Sequence, residues 1–270
     1  MPKKGSLLIG YDIEDQTQCK QFLNTLSCVH NDLQTPCTVF ALGACVEALP
    51  DVFAQLADNP LFDIGQHTWS HVLLKTVVVE EDGKTEVIAS ASPSVIEEET
   101  LRAAAIIENV CGQPCTGLSG PWGYYRGLMD RPDLLAVLHR CGVRYLRTYG
   151  RNERDWQPVS CDLQPFWYTA QGYPDILEVF LHGWQDVYLR SRLGWDDVDR
   201  FVDYLFQDLN YASQNNLVFS WGCSDWSALR KDPELEIIRR VIGHARELGM
   251  DILSCGNYYT RQEAVRLKAA

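Results

Sequence analysis

Short runs of apolar residues alternate along the chain with longer stretches in which apolar residues recur every three or four positions. Eight of the short runs read as strands: Ser6–Tyr11, Cys37–Leu42, Leu61–Ile64, Thr116–Leu118, Val143–Arg147, Ile176–Leu181, Leu217–Trp221 and Asp251–Leu253. Several are nearly continuous in apolar residues, which is how strands buried on both faces of a parallel sheet look. Between two of them, Ile96, Thr100, Ala103, Ile107 and Val110 share one helical face, and Ser94 with Glu97 fits a capping box at its start. Asp232-Pro233 predicts another helix start, with Gly249 as its stop. A further amphipathic helix is expected over Asp196–Leu209. Val77–Ala91, which contains Glu80-Glu81-Asp82-Gly83-Lys84, reads as a surface hairpin or loop insertion. The alternation predicts a βα-barrel or an open α/β sheet. With no Gly/Ser/Pro-rich linker and no repeat, residues 1–270 read as a single domain.

Composition narrows the partners. The 270 residues are 46% hydrophobic, enough for one large core, and no apolar run reaches membrane-spanning length. Only Leu7–Gly10 follows the lysines of Met1–Ser6, so no signal peptide is read, and a cytoplasmic location is expected. A net charge of −12 argues against nucleic acid as a partner. The ten cysteines are scattered without a CxxC pair, as expected of buried reduced thiols. Cys111 and Cys115 are spaced as two ligands of a structural zinc would be, but no second pair stands near them.

Chemistry concentrates at two strand ends. The first strand runs into Asp12, Glu14 and Asp15, and carboxylates at the C-terminal mouth of a parallel barrel are candidate bases or metal ligands. The third strand is followed by His67 and His71. Four residues apart, on a helical turn, two imidazoles stack on one face and can close on one ion.

These segments, with Thr35–Gly43 and Val46–Pro50 between them, resemble the polysaccharide deacetylases of the NodB-homology type (carbohydrate esterase family 4) in order and spacing. The resemblance is strongest over Leu7–His71. It implies a distorted (β/α)7-type barrel and a metal-dependent hydrolase of amide bonds. It assigns Asp12 as general base and Glu14, His67 and His71 as ligands of a divalent metal, with zinc expected. Asp12-Ile13-Glu14 resembles the Asp-x-Asp of one branch of the family, with Glu14 in place of its second aspartate, which leaves Asp15 as an alternative ligand. The family's Arg-x-Pro-(Tyr/Trp)-Gly motif resembles Ser119-Gly-Pro121-Trp122-Gly123, with Ser119 where the base-orienting arginine belongs. Arg126 is a candidate replacement. Pro121, Trp122 and Gly123, with Trp184 and Asp186 after the Ile176–Leu181 strand, are the candidate substrate-binding residues. The last motif normally ends in a histidine that protonates the leaving amine, and Leu217–Trp226 has none. His182, at a neighbouring strand mouth, is the candidate donor. The implied activity is N-deacetylation of an acetamido sugar or its conjugate. Hydrolysis of a cyclic imide or ureide is the alternative, and so is a non-catalytic carbohydrate-binding relative. The expected partner is a small-molecule or carbohydrate substrate, with no nucleic acid and no membrane. The sequence does not fix an oligomeric state.

Overall fold

The structure is a computed structural model that describes residues 5–81 and 84–269. Strands are β1 Ser6–Ile13, β2 Cys37–Ala41, β3 Phe62–Gln66, β4 Val77–Glu81, β5 Lys84–Ile88, β6 Gly117–Tyr125, β7 Tyr145–Arg151, β8 Phe166–Tyr168, β9 Tyr173–Glu178, β10 Val218–Trp221 and β11 Asp251–Leu253. Helices are α1 Cys19–Leu33, α2 Gly43–Ala48, α3 Pro50–Ala57, α4 Pro93–Cys111, α5 Pro132–Arg140, α6 Asp186–Leu193, α7 Val198–Gln214, α8 Asp225–Leu229, α9 Glu236–Glu247 and α10 Cys255–Ala269. All eight strands read from the sequence are present. The short antiparallel edge strand β8 was not legible. Among the described residues, no helix is long and apolar enough to cross a membrane.

The main sheet runs β10-β1-β2-β3-β6-β7-β9-β8, parallel except for the β8–β9 pair, and β11 pairs with the first half of β1. Past β9, residues 179–182 keep following β7, with Val179 N–H donating to Leu146 O at 2.8 Å and Leu181 N–H to Tyr149 O at 2.9 Å. His182 then meets β10, the other edge of the sheet. Its N–H donates to Ser220 O at 2.9 Å, and its Nδ1 accepts from Ser220 N–H at 2.9 Å. Among the described residues these bonds, with those of the Gln164 side chain to Val218 O and N–H at 3.1 and 2.8 Å, join the sheet's edges in place of a full strand ladder.

Leu8, Phe40, Tyr145, Leu177 and Val179 fill the inside of the curve, and Leu253, Tyr258 and Tyr259 close it from one end. Outside, β1, β2 and β10 pack on α1, α7 and α9, and β6, β7 and β9 pack with α5. This double coverage explains the nearly continuous apolar strands. The expected face of α4 is buried at Ile96, Thr100, Ala103 and Ile107. Its cap is Ser92, whose hydroxyl accepts from Val95 N–H, with Pro93 as the first helical residue, so Ser94 is not the cap. The Asp232 carboxylate accepts from Glu236 N–H and Ile237 N–H at 2.9 and 2.8 Å, so α9 starts three residues later than Pro233 implies. The expected hairpin is β4–β5. Its turn at Asp82-Gly83 lies outside the described residues, as do Met1–Lys4 of the N-terminal segment read for a signal peptide.

Candidate metal centre and its cavity

Asp12 and Glu14 leave β1 two residues apart, a spacing that puts them on one side of the strand. His67 follows β3 directly. Residues 67–71 do not form the helical turn their spacing suggested. They make a tight turn with left-handed backbone at Thr68 (φ 64°) and His71 (φ 69°), which still brings the two rings to a 5.0 Å centroid separation. The first residues of α2 hold this turn, Gly43 N–H donating to Thr68 O and Ala44 N–H to Trp69 O.

Glu14 Oε1 lies 3.4 Å from His67 Nε2 and 3.7 Å from His71 Nε2, and one ligand atom from each of the three residues falls within 4.8 Å of the others. His67 Nδ1 donates to Ser119 O at 2.8 Å, which selects the tautomer with a bare Nε2. That Nε2 is buried and has no hydrogen-bond partner. Leaving a buried polar atom unpaired costs about 1–3 kcal/mol, so the site is built for a partner that takes this lone pair. Two imidazole nitrogens and one carboxylate are a donor set suited to zinc with positions left open. Burial pushes the Glu14 carboxyl up, but the two imidazoles outweigh it and hold the group below the usual carboxylate range. For His67, burial lowers the pKa, and the charges of Asp12 and Glu14 override it and raise it.

Glu14 is held from the far side as well. Ser224 Oγ donates to its Oε1 at 3.1 Å and Trp226 Nε1 to its Oε2 at 3.0 Å, while Asp225 accepts from the N–H groups of Glu14 and Asp15. Asp15 turns away, accepting from Thr17 N–H, Thr17 Oγ and Gln18 Nε2, and its carbonyl starts α1. The structure thus brings Glu14, and not Asp15, to the imidazoles.

An arginine does reach Asp12, from a strand other than the one that carries the motif. Arg147 on β7 is the register partner of Ser119 on β6, so its guanidinium enters the site beside the position the motif arginine would occupy. Its Nη2 donates to Asp12 Oδ1, its Nη1 to Gly10 O at 3.0 Å, and its Nε to Ser119 Oγ at 3.3 Å. Glycine makes the room. A Cβ on Gly222 would stand 1.7 Å from Gly10 O and 2.7 Å from Arg147 Nη1, and one on Gly10 would stand 3.1 Å from the same Nη1. Arg126 is an exposed loop residue with no part in the cavity wall. An arginine at the end of the strand read over Val143–Arg147 was the available signal for Arg147.

These groups sit at the floor of a cavity of about 600 Å³, whose walls include Trp122, Gly123, Trp156, Gln185, Asp186, Tyr188 and Trp226. Of the residues expected to bind substrate, Trp122, Gly123 and Asp186 line it. Pro121 is buried in β6, and Trp184 packs on the core with Arg192 over its ring, so neither reaches the cavity.

His182 is also placed elsewhere, which corrects its expected role as proton donor. It is fully buried, stacked on Phe180 at 5.2 Å, and uses both ring nitrogens. Nδ1 accepts from Ser220 N–H, and Nε2 donates to Leu163 O at 2.7 Å. No ring nitrogen is left for a leaving group. Burial lowers its pKa to about 4. Since an unfolded histidine titrates near 6.5, the folded chain holds it neutral. Its contribution to stability is full above roughly pH 6.5 and is lost as pH falls toward its folded value. His182→Ala is expected to cost about 2–5 kcal/mol, to flatten the acid side of the stability profile, and to leave metal affinity unchanged. Denaturant titrations from pH 4 to 8 check this. A variant as stable as wild type would show that the edges of the sheet do not depend on this ring.

The profile of the polysaccharide deacetylase family matches residues 1–146, more than half of the sequence. The chain belongs to the polysaccharide deacetylase family. No curated protein sequence matches it. The fold is shared with PuuE allantoinase at a TM-score of 0.65 and 14% identity, covering 94% of this chain and 88% of that one. It is shared with a CE4-family pseudoenzyme from Bacillus anthracis at a TM-score of 0.60 and 10% identity, covering 96% of this chain but only 66% of the pseudoenzyme. A family 4 carbohydrate esterase from Streptomyces lividans, in complex with acetate, matches at a TM-score of 0.52 and 13% identity, covering 92% of this chain and 91% of that one. At these identities the deacetylase-family neighbours establish a common fold.

Proposed function

We propose that this polysaccharide deacetylase-family protein is a metal-dependent hydrolase of carbon–nitrogen bonds in amides, acting by N-deacetylation of an acetamido sugar or its conjugate. The observation that carries the reading is the bare, buried Nε2 of His67 facing Glu14, with the Asp12–Arg147 pair in the same cavity. Glu14, His67 and His71 would hold the ion, with zinc the ion that suits the donors. When bound, a divalent metal polarises a carbonyl and lowers the pKa of a water molecule. The chain's own residues supply the rest. Asp12 takes a proton from the attacking water. Arg147 holds the Asp12 carboxylate in one orientation. The tryptophans at the wall offer flat faces on which a sugar or a planar ring can rest. Ten cysteines without a disulfide among the described residues favour a reducing, cytoplasmic setting.

A second reading, hydrolysis of a small cyclic imide or ureide, is favoured by the cavity itself, because about 600 Å³ walled by Trp122, Trp156 and Tyr188 suits a compact substrate. A purely binding role is disfavoured by the intact base, arginine and ligand set. Asp12→Asn tests the catalytic reading. It is expected to lower turnover by about 10²–10⁴-fold, the usual contribution of a general base, while metal content stays at the wild-type level. Equal loss of metal in this variant would make Asp12 a ligand. No turnover by wild type on acetamido sugars, cyclic imides and ureides would leave the binding role.

A further inference from the structure

The family's final histidine has no counterpart here and His182 is committed to the fold, yet an amide nitrogen cannot leave without a proton. We infer that Asp186, the first residue of α6, is the catalytic acid that protonates the leaving nitrogen. This deepens the amide-hydrolase reading and rests on it.

The cavity wall narrows the choice. Asp12, Glu14, His67 and His71 already have roles, Arg147 is engaged with Asp12, and Arg192 lies over the Trp184 ring. Asp186, Tyr188 and Cys223 remain. Burial pushes the Cys223 thiol far above its ordinary value, which makes it a poor donor at neutral pH. The Tyr188 ring rests against Trp156, 4.7 Å between centroids, as part of the aromatic wall. Asp186 is 6% exposed, and burial pushes its carboxyl up to about 6, against a smaller lowering by Ser227. An acid whose pKa lies close to the working pH is both protonated and ready to give its proton up.

Hydrogen bonding orients the group. Ser227 Oγ lies against Asp186 Oδ2 and also 3.0 Å from Ser224 O. The single hydroxyl proton of Ser227 serves one of these two acceptors at a time, and donation to Asp186 holds its Oδ2 in place. Ser227 and the Val187 N–H both serve this carboxyl and hold it at the cavity wall. In the step itself the C–N bond breaks, its electron pair stays on nitrogen, and nitrogen takes the proton from Asp186. The acyl carbon departs as a carboxylic acid whose new oxygen came from the water deprotonated by Asp12. Asp186 is left as a carboxylate that accepts from Ser227, and exchange with solvent returns its proton and discharges Asp12.

The test compares leaving groups. Wild type, Asp186→Asn and Asp186→Glu are assayed, with metal content measured, on 4-nitrophenyl acetate, N-acetylglucosamine and hydantoin. The phenolate of the ester leaves without a proton, whereas the amides need one. Asp186→Asn, nearly isosteric, is expected to lose at least 100-fold in kcat on the amide that wild type cleaves, to lose far less on the ester, and to keep its metal. Asp186→Glu is expected to recover part of the amide rate. Equal losses on ester and amide, or no loss on the amide, would overturn the assignment while leaving the amide-hydrolase reading intact. A wild type that cleaves neither amide overturns that reading, and the donor with it.

Discussion

His67→Ala is expected to purify without the divalent metal that the wild-type protein retains, and to bind added zinc at least 100-fold more weakly. The ring does more than contribute one nitrogen. Its Nδ1–H is tied to Ser119 O, so Nε2 points at Glu14 as a preset lone pair, already desolvated. Removing it leaves His71, which is about one-third exposed, and a carboxylate that has lost its nearer imidazole. A site of one imidazole and one carboxylate competes poorly with water for a divalent ion, since second contacts of this kind are worth tenfold to hundredfold in affinity even when they act only through a ligand. Glu14→Gln should behave similarly but more mildly, because Ser224 and Trp226 still hold the side chain in place. Elemental analysis of protein purified without chelator, with competition titrations for affinity, decides the matter. Stoichiometric metal in His67→Ala would place the ion elsewhere, and a metal-free wild type that does not take up zinc would remove the centre altogether.

What the sequence revealed and what it hid follow from the range of the interactions involved. Strands buried on both faces announce themselves through local composition, and all eight were legible. The three candidate ligands were legible because motif spacing is itself local: Glu14 lies next to a strand end, and His67 and His71 share one turn. The conformation of that turn was not, since its left-handed residues Thr68 and His71 are fixed by α2, more than twenty residues away. His182 was misplaced for a related reason. A histidine after a strand suggests a pocket, but whether its nitrogens are free depends on β10 and on Leu163, both distant in sequence. Asp186 was placed among substrate-binding residues with no hint of its buried contact with Ser227, which lies 41 residues further on. Ser94 and Ser92 compete for one helix end, and the structure settles on the serine directly before Pro93 because proline suits the first helical position.

Arg147→Ala is expected to lower kcat/KM by about 10²–10³-fold without removing the metal, on whichever amide the wild type hydrolyses. The prediction rests on register. Ser119 and Arg147 face each other across the β6–β7 ladder, so an arginine on either strand delivers its guanidinium to nearly the same point. The gap opened at Ser119 is filled from Arg147, and Ser119 Oγ accepts from the guanidinium as a supporting hydrogen-bond partner. Without Arg147, Asp12 loses the guanidinium donor at its Oδ1, and Gly10 O loses a partner in a buried setting. Breaking a buried pair from one side commonly costs about 3–5 kcal/mol, so the variant should also melt at a lower temperature. Arg147→Lys keeps the charge but not the fork that spans Asp12, Gly10 and Ser119, and should recover stability better than rate. The decisive comparison is the exchange Ser119→Arg with Arg147→Ser. If position across the ladder is what matters, the double variant regains part of the rate that Arg147→Ala loses. A single Arg147→Ala within twofold of wild type would mean that Asp12 needs no orienting cation. A double variant no better than the single one would mean that the space cleared by Gly10 and Gly222 admits the guanidinium only from β7.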